Sequence, residues 1–240
     1  TTIEHTNAYI YADAALLQPL SLSVGISHDD YDSGVLQRRP TNPKFGFTWQ
    51  ATPRTTVRGA AFKAFKRTLV LSQTIEPTNV AGFNQFFDDT TASESWRQGL
   101  ALDREISGSL RSGAEVSHRS LETPSRSAAT GAVSLSKENE WLGRAYLYSS
   151  VFNWLAVTTE YRYERLVRDP LGNNAGLLAN STTHTLAGEA RAFWRLGTFG
   201  RLRATFVDQD GMFQNPRQVV VPGQDRFWTA VVRAVLRRPV

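Results

Sequence analysis

Between residues 42 and 67 the chain reads NPKFGFTWQATPRTTVRGAAFKAFKR. In its first half Phe45, Phe47 and Trp49 fall on one side, while Lys44, Thr48 and Gln50 fall on the other. A period of two marks a strand with two unlike faces, and Thr52-Pro53-Arg54 interrupts it as a turn. The alternation recurs along the chain. Over 7–16, Ala8, Ile10, Ala12, Ala14 and Leu16 oppose Asn7, Tyr9, Tyr11 and Asp13; over 20–32, Leu20, Leu22, Val24 and Ile26 oppose Ser21, Ser23, Gly25 and Ser27. Further runs lie at 43–51, 55–67, 95–106, 110–122, 140–151, 154–168, 183–196, 201–209 and 226–237, which predicts about eleven strands.

The connections alternate in length. Gln18-Pro19, Thr52 to Arg54, Ser107 to Ser109, Phe152-Asn153 and Gly197 to Gly200 are tight, whereas 33–42, 68–94, 123–139, 169–182 and 210–225 are long and polar. Short turns on one rim and long loops on the other predict an all-β, antiparallel transmembrane β-barrel over 1–240. Aromatics near strand ends, at Trp49, Trp141, Phe152, Trp154, Trp194, Phe199 and Trp228, suit the boundary between hydrocarbon and headgroup. In lipid every backbone polar group needs an internal partner, so a closed sheet with one apolar and one wet face can span it. A soluble sandwich or lipocalin-like barrel also alternates and stays open as an alternative. The abundance of Ala and Gly on the apolar face and of charge on the other favours the membrane.

Composition narrows the classes. With 240 residues, 41% hydrophobic and 11% aromatic, the chain is too apolar for disorder. The net charge of +5 is spread without a basic block, so nucleic acid is not an expected partner. The absence of cysteine excludes a disulfide framework and a cysteine-ligated zinc site. No apolar run approaches the roughly 18 residues of a spanning helix. The chain opens TTIEHTNAYIYADA without an initiator Met and without a signal peptide, which reads as a processed or excised portion of a longer protein.

The stretch at 42–67 resembles a hairpin of the barrels of TonB-dependent receptors, with an Asn/Ser-Pro-Lys/Arg start, a short turn and a T-x-R return strand. TIEPTNVAGFNQFF, beginning at Thr74, is similar to the Pro-containing segment of their next external loop, altered here at Ile75-Glu76-Pro77-Thr78. The resemblance covers 42–90 and implies an outer-membrane barrel with about twice this strand number. The sequence contains no plug domain and no TonB box, so energised import is not carried over. The expected explanation is that these strands form the later part of a larger barrel, preceded by further strands and by a plug or a periplasmic repeat domain.

Candidate chemistry is sparse. His5, His28, His118 and His184 show no HExxH or Ser/His/Asp spacing, so no enzyme, metal site or cofactor is expected. His28-Asp29-Asp30 and Phe87-Asp88-Asp89 read as solvated loop or turn carboxylates rather than metal ligands. The polar face is richer. Arg58, Arg97, Arg111, Arg119, Arg144, Arg162, Arg191, Arg195, Arg201, Arg203 and Arg233 project to it together with Asp13, Asp103, Glu105, Glu115, Glu160, Glu164 and Glu189. Rings of charge in a pore set ion preference and an arginine excess favours anions; equally, opposite charges on neighbouring strands pair to stiffen a wall. The loop at 68–94 carries Phe83, Asn84, Gln85, Phe86 and Phe87, a set suited either to folding inward as a plug or to holding a sugar- or siderophore-like ligand.

The expected function is transport of solutes across the bacterial outer membrane by a receptor or porin-like barrel. Its partners are outer-membrane lipid and lipopolysaccharide, a small solute or polysaccharide, and periplasmic or other envelope proteins. An exporting or anchoring barrel for polysaccharide or protein, attached to a periplasmic repeat domain, is the alternative within the membrane. A soluble ligand-binding β-barrel is the alternative outside it.

Overall fold

The computed structural model describes residues 3–17, 19–67, 76–85, 89–126, 131–168, 178–194, 198–214 and 219–235. The fold is all-β. In chain order the strands are β1 (Glu4–Leu17), β2 (Leu20–Asp32), β3 (Gln37–Arg38), β4 (Thr41–Thr52), β5 (Thr55–Phe65), β6 (Asn79–Val80) and β7 (Phe83–Asn84). They continue as β8 (Glu94–Ser107), β9 (Leu110–Arg126), β10 (Val133–Phe152), β11 (Leu155–Arg168), β12 (Leu178–Phe193), β13 (Phe199–Gln214) and β14 (Val220–Val235).

Eleven long strands form one antiparallel sheet in the order β1-β2-β4-β5-β8-β9-β10-β11-β12-β13-β14. Each pairs with its sequence neighbour, the meander that tight turns and an even two-residue period dictate. Short β3 adds to β2, and β6 and β7 pair as a separate hairpin. The sheet's path ends at β1 and β14, which do not pair with one another among the described residues.

The two faces are inverted relative to a soluble sheet. In β2, Ser27, Asp29 and Tyr31 are buried while Val24 and Ile26 are exposed; in β4, Asn42 and Lys44 are buried while Phe45 and Trp49 are exposed. The cross-strand registers carry this parity through the sheet. Asp29 opposes Asn7, Lys44 opposes Phe62, Arg97 opposes Arg119, Arg144 opposes Arg162, and Glu189 opposes Arg203, all on one face. On the other stand Ile10, Leu100, Val116, Leu147, Leu186, Leu202 and Val232, every one exposed.

Several boundaries differ from the periodicity reading. The predicted link 123–139 is mostly strand, because β9 runs to Arg126 and pairs with β10 from Val133 onward. Likewise β12 starts at Leu178, and β13 and β14 extend to Gln214 and back to Val220. There turn-type residues such as Pro124, Gly211, Pro222 and Gly223 interrupt the hydrophobic period although the backbone ladder continues. The turn after β10 sits at Asn153-Trp154, one residue later than expected. Phe199 shares the polar face opposite Phe193 rather than joining the outward aromatics.

Candidate functional site

The polar face carries the charged constellation, and part of it is covered. Residues 76–85 of the link between β5 and β8 lie back over the strands that flank it. Its β6–β7 hairpin turns tightly through Ala81 (φ 47°) and Gly82 (φ 85°), the left-handed pair of a two-residue hairpin turn. Below it, Gly46 and Gly99 leave room for approach. A Cβ on Gly46 would stand 2.7 Å from Val80 Cγ1, and one on Gly99 would overlap the Phe83 ring. Ala60, Phe62, Ala64 and Ala101 complete an apolar seat with Val80 and Phe83.

Two arginines clamp this hairpin. Arg58 on β5 donates from Nη1 to the Ala81 carbonyl at 3.1 Å, and Arg97 on β8 donates from Nη1 to the Asn84 carbonyl at 2.9 Å. Both guanidinium carbons lie 5.6 Å from the Phe83 ring centroid, within cation–π range. Arg58 also donates to Asp103 at 2.7 Å and Arg97 to Ser117 at 2.9 Å, which fixes the orientation of each.

A second anchor is ionic. Glu76, 1% exposed, receives Lys44 Nζ at 3.1 Å and is further bonded by Arg67 and the Tyr11 hydroxyl. Gln85 donates to Tyr11 Oη at 3.1 Å and to the Pro77 carbonyl at 2.7 Å. Asp29, wholly buried, accepts from Asn42 at 2.8 Å and Asn7 at 2.9 Å and lies 2.9 Å from His5 Nε2. Further along, Asp89 makes a two-pronged pair with Arg119 at 2.7 and 3.0 Å, while Arg119 also meets Glu140. Outside the long strands, Arg38 bridges Glu94 and Glu122; burial lowers its pKa, but these carboxylates outweigh that and raise it overall.

Over β10 to β13 no described loop residue covers the polar face. Glu160 receives Arg144 at 2.7 Å and Arg162 at 3.0 Å, and Glu189 receives Arg191, Arg201 and Arg203. A cavity of about 370 Å³ lies between them, lined by Tyr148, Thr158, Glu160, Glu189, Arg191 and Arg203. Another of about 370 Å³ adjoins it at Tyr148, with Tyr146, Asp103 and Arg111. A more apolar groove of about 440 Å³ lies toward the opposite side, with Phe45, Leu100, Val116 and Trp141 on its walls.

Of the residues singled out from sequence, Arg58, Arg97, Arg111, Arg144, Arg162, Arg191, Arg203, Arg233, Glu160 and Glu189 share the polar face. Arg195 lies outside the described residues, as do Phe86 and Phe87 of the loop set. Phe83, Asn84 and Gln85 are brought onto the polar face, with Phe83 and Gln85 buried and Asn84 exposed. His28 and Asp30 point away from Asp29, so that triplet does not converge. Asp89 faces Arg119, and Asp88 lies outside the described residues. Sequence reasoning missed Lys44, Glu76, Arg67 and Tyr11 as a unit. It also passed over the signal for a covered face, namely Ala60, Phe62 and Ala64 at inward positions of β5 where other strands place charges.

No protein family model matches the chain. No curated protein matches it by sequence. Among solved structures, one similar chain is OmpT (in-vitro folded), an outer membrane protein of Vibrio cholerae, at 9% identity and a TM-score of 0.47. The match covers 90% of this chain and 64% of that one, so this chain spans a little under two thirds of the length of that neighbour.

Proposed function

We propose that this chain builds the wall of a β-barrel in the bacterial outer membrane, and that its polar face lines a path for solutes partly covered by residues 76–85. The carrying observation is the inversion of faces: Asp29 and Asn42 are 0% exposed while Trp228 is 70% and Val232 79% exposed. In water an apolar face this continuous is a severe liability, whereas in hydrocarbon it is the expected surface. The dimensions agree. Trp141 lies on the outer side of β10, and a bulge between Ser150 and Phe152 brings Phe152, eleven residues on, to the same side opposite Leu155. At about 3.3 Å per residue and tilts of about 35–45°, that separation covers roughly 25–30 Å, the height of a hydrocarbon band flanked by aromatic girdles. The outer side then meets lipid and lipopolysaccharide.

The receptor-type reading rests on the likeness of 42–90 to TonB-dependent barrels, in which β4 and β5 supply the hairpin and Glu76 to Gln85 lie in the following loop. Reconstitution of the full-length protein into liposomes tests transport directly. Passage of small polar solutes in its presence, lost on heat denaturation, is the expected result. Insertion without any flux would leave an anchoring wall and remove the transport role, and solubility without detergent would remove the membrane.

A further inference from the structure

Building on that transport reading, we infer that the open half of the polar face holds a binding site for multivalent oxyanions, centred on Arg191, Arg201 and Arg203. Three guanidinium groups converge on one carboxylate. Glu189, side chain 4% exposed, is bonded at Oε1 by Arg191 and at Oε2 by Arg201 at 2.6 Å, with Arg203 Nη1 at 3.5 Å. Each guanidinium brings five N–H donors, and a carboxylate offers about four acceptor positions. One carboxylate therefore cannot take up the donors of three guanidinium groups, and the cluster keeps a surplus of two positive charges. The Arg201 Nε–H is buried and meets no acceptor among the described residues. Arg191 and Arg203 keep 51% and 38% of their side chains exposed, so their unused donors are reachable.

The surroundings add to this surplus. Across the 370 Å³ cavity Glu160 is held by both Arg144 and Arg162, which leaves one more positive charge on that wall. Wall-stiffening pairs call for matched charges, and here five arginines share two carboxylates. The arginines of the covered half differ, because Arg58 and Arg97 spend donors on hairpin carbonyls and Arg119 on Asp89. None of the described loop residues lines this cavity. What fits is a ligand with two or more carboxylate, sulfate or phosphate oxygens, since planar guanidinium forks bind such groups in pairs of parallel bonds.

The probe is inorganic pyrophosphate, and the protein is the full chain in zwitterionic detergent at low salt. Calorimetric titration is expected to show saturable binding that weakens at least ten-fold in the R191Q/R203Q variant. R111Q, which alters an exposed arginine on the same face outside the cluster, is expected to bind as the unaltered protein does. Equal binding by all three proteins means an adventitious ion only and overturns the site, as does no binding at all. Should the double variant fail to fold, the unaltered protein still decides: pyrophosphate should protect Arg191 and Arg203, but not Arg111, from phenylglyoxal, and equal modification overturns the proposal. Planar-bilayer recording separates the two claims. A channel that conducts but binds no pyrophosphate sinks the site and keeps the path, whereas binding without conductance sinks the path and keeps the site.

Discussion

Phe83 rests on Gly99: the ring of the loop hairpin occupies the space that any β-carbon at position 99 of β8 would fill. This contact sets the hairpin's depth, and at that depth Arg58 and Arg97 reach its carbonyls while both guanidinium groups lie 5.6 Å from the ring centroid. Gly99→Val is therefore expected to eject the hairpin without disturbing sheet pairing. Limited proteolysis checks it: cleavage within 76–85 should appear in the variant and be absent from the parent. Phe83→Ala should release the same loop, with a cost of about 3–5 kcal/mol for emptying a buried phenylalanine site.

Removing the cover should widen the path. Replacing 79–84 with a Gly-Ser link takes away Val80 and Phe83, and single-channel conductance in a planar bilayer is expected to rise. Unchanged conductance together with lost solute binding would make the loop a ligand-capturing element instead.

Glu76 and Lys44 should respond unequally. Glu76→Ala leaves Lys44 and Arg67 buried without their shared carboxylate, a loss of about 3–5 kcal/mol. Lys44→Met leaves Glu76 still held by Arg67 and Tyr11, so it should cost much less. Denaturant titration of the two variants in detergent measures the difference, and equal losses would contradict the account of Glu76 as the hub.

The outer side should reject charge in proportion to depth. Val157→Arg on β11 should lower stability by about 2–4 kcal/mol, whereas Thr158→Arg, one residue on and facing the polar side, should cost far less. Refolding equilibria into lipid vesicles provide the readout, and reversed costs would exchange the two faces.

Topology can be read with thiols, since the chain has no cysteine of its own. Val35→Cys in the β2–β4 link should react with an impermeant maleimide on intact cells, and Asn153→Cys in the β10–β11 turn should react only after lysis. Labelling of Asn153→Cys alone would invert the orientation.

The sequence by itself determined the strands and their faces. Two-residue alternation of the kind seen at Phe45, Phe47 and Trp49 survives without tertiary help, because successive side chains on a strand point to opposite sides whatever surrounds them. The same parity placed Arg144, Glu160, Arg162 and Glu189 together before any register was known, since antiparallel pairing across tight turns conserves it. Strand ends were less legible. Where turn-type residues interrupt the period, as at Pro124 in β9 and at Gly211, Pro222 and Gly223 in β13 and β14, the hydrophobic pattern does not report pairing that the backbone ladder sustains.

Only the tertiary structure decided where the described part of the long loop lies. Phe83, Asn84 and Gln85 in sequence suit a plug or a ligand trap equally, because an aromatic beside amides says nothing about which surface it meets. Their seat comes from residues far along the chain: Gly46 and Gly99 supply the clearance, Arg58 and Arg97 the donors, and Lys44, Arg67 and Tyr11 the partners that make burial of Glu76 tolerable. A buried carboxylate is stable only where several opposing donors converge on it, and convergence is a property of three-dimensional register that a linear pattern does not carry.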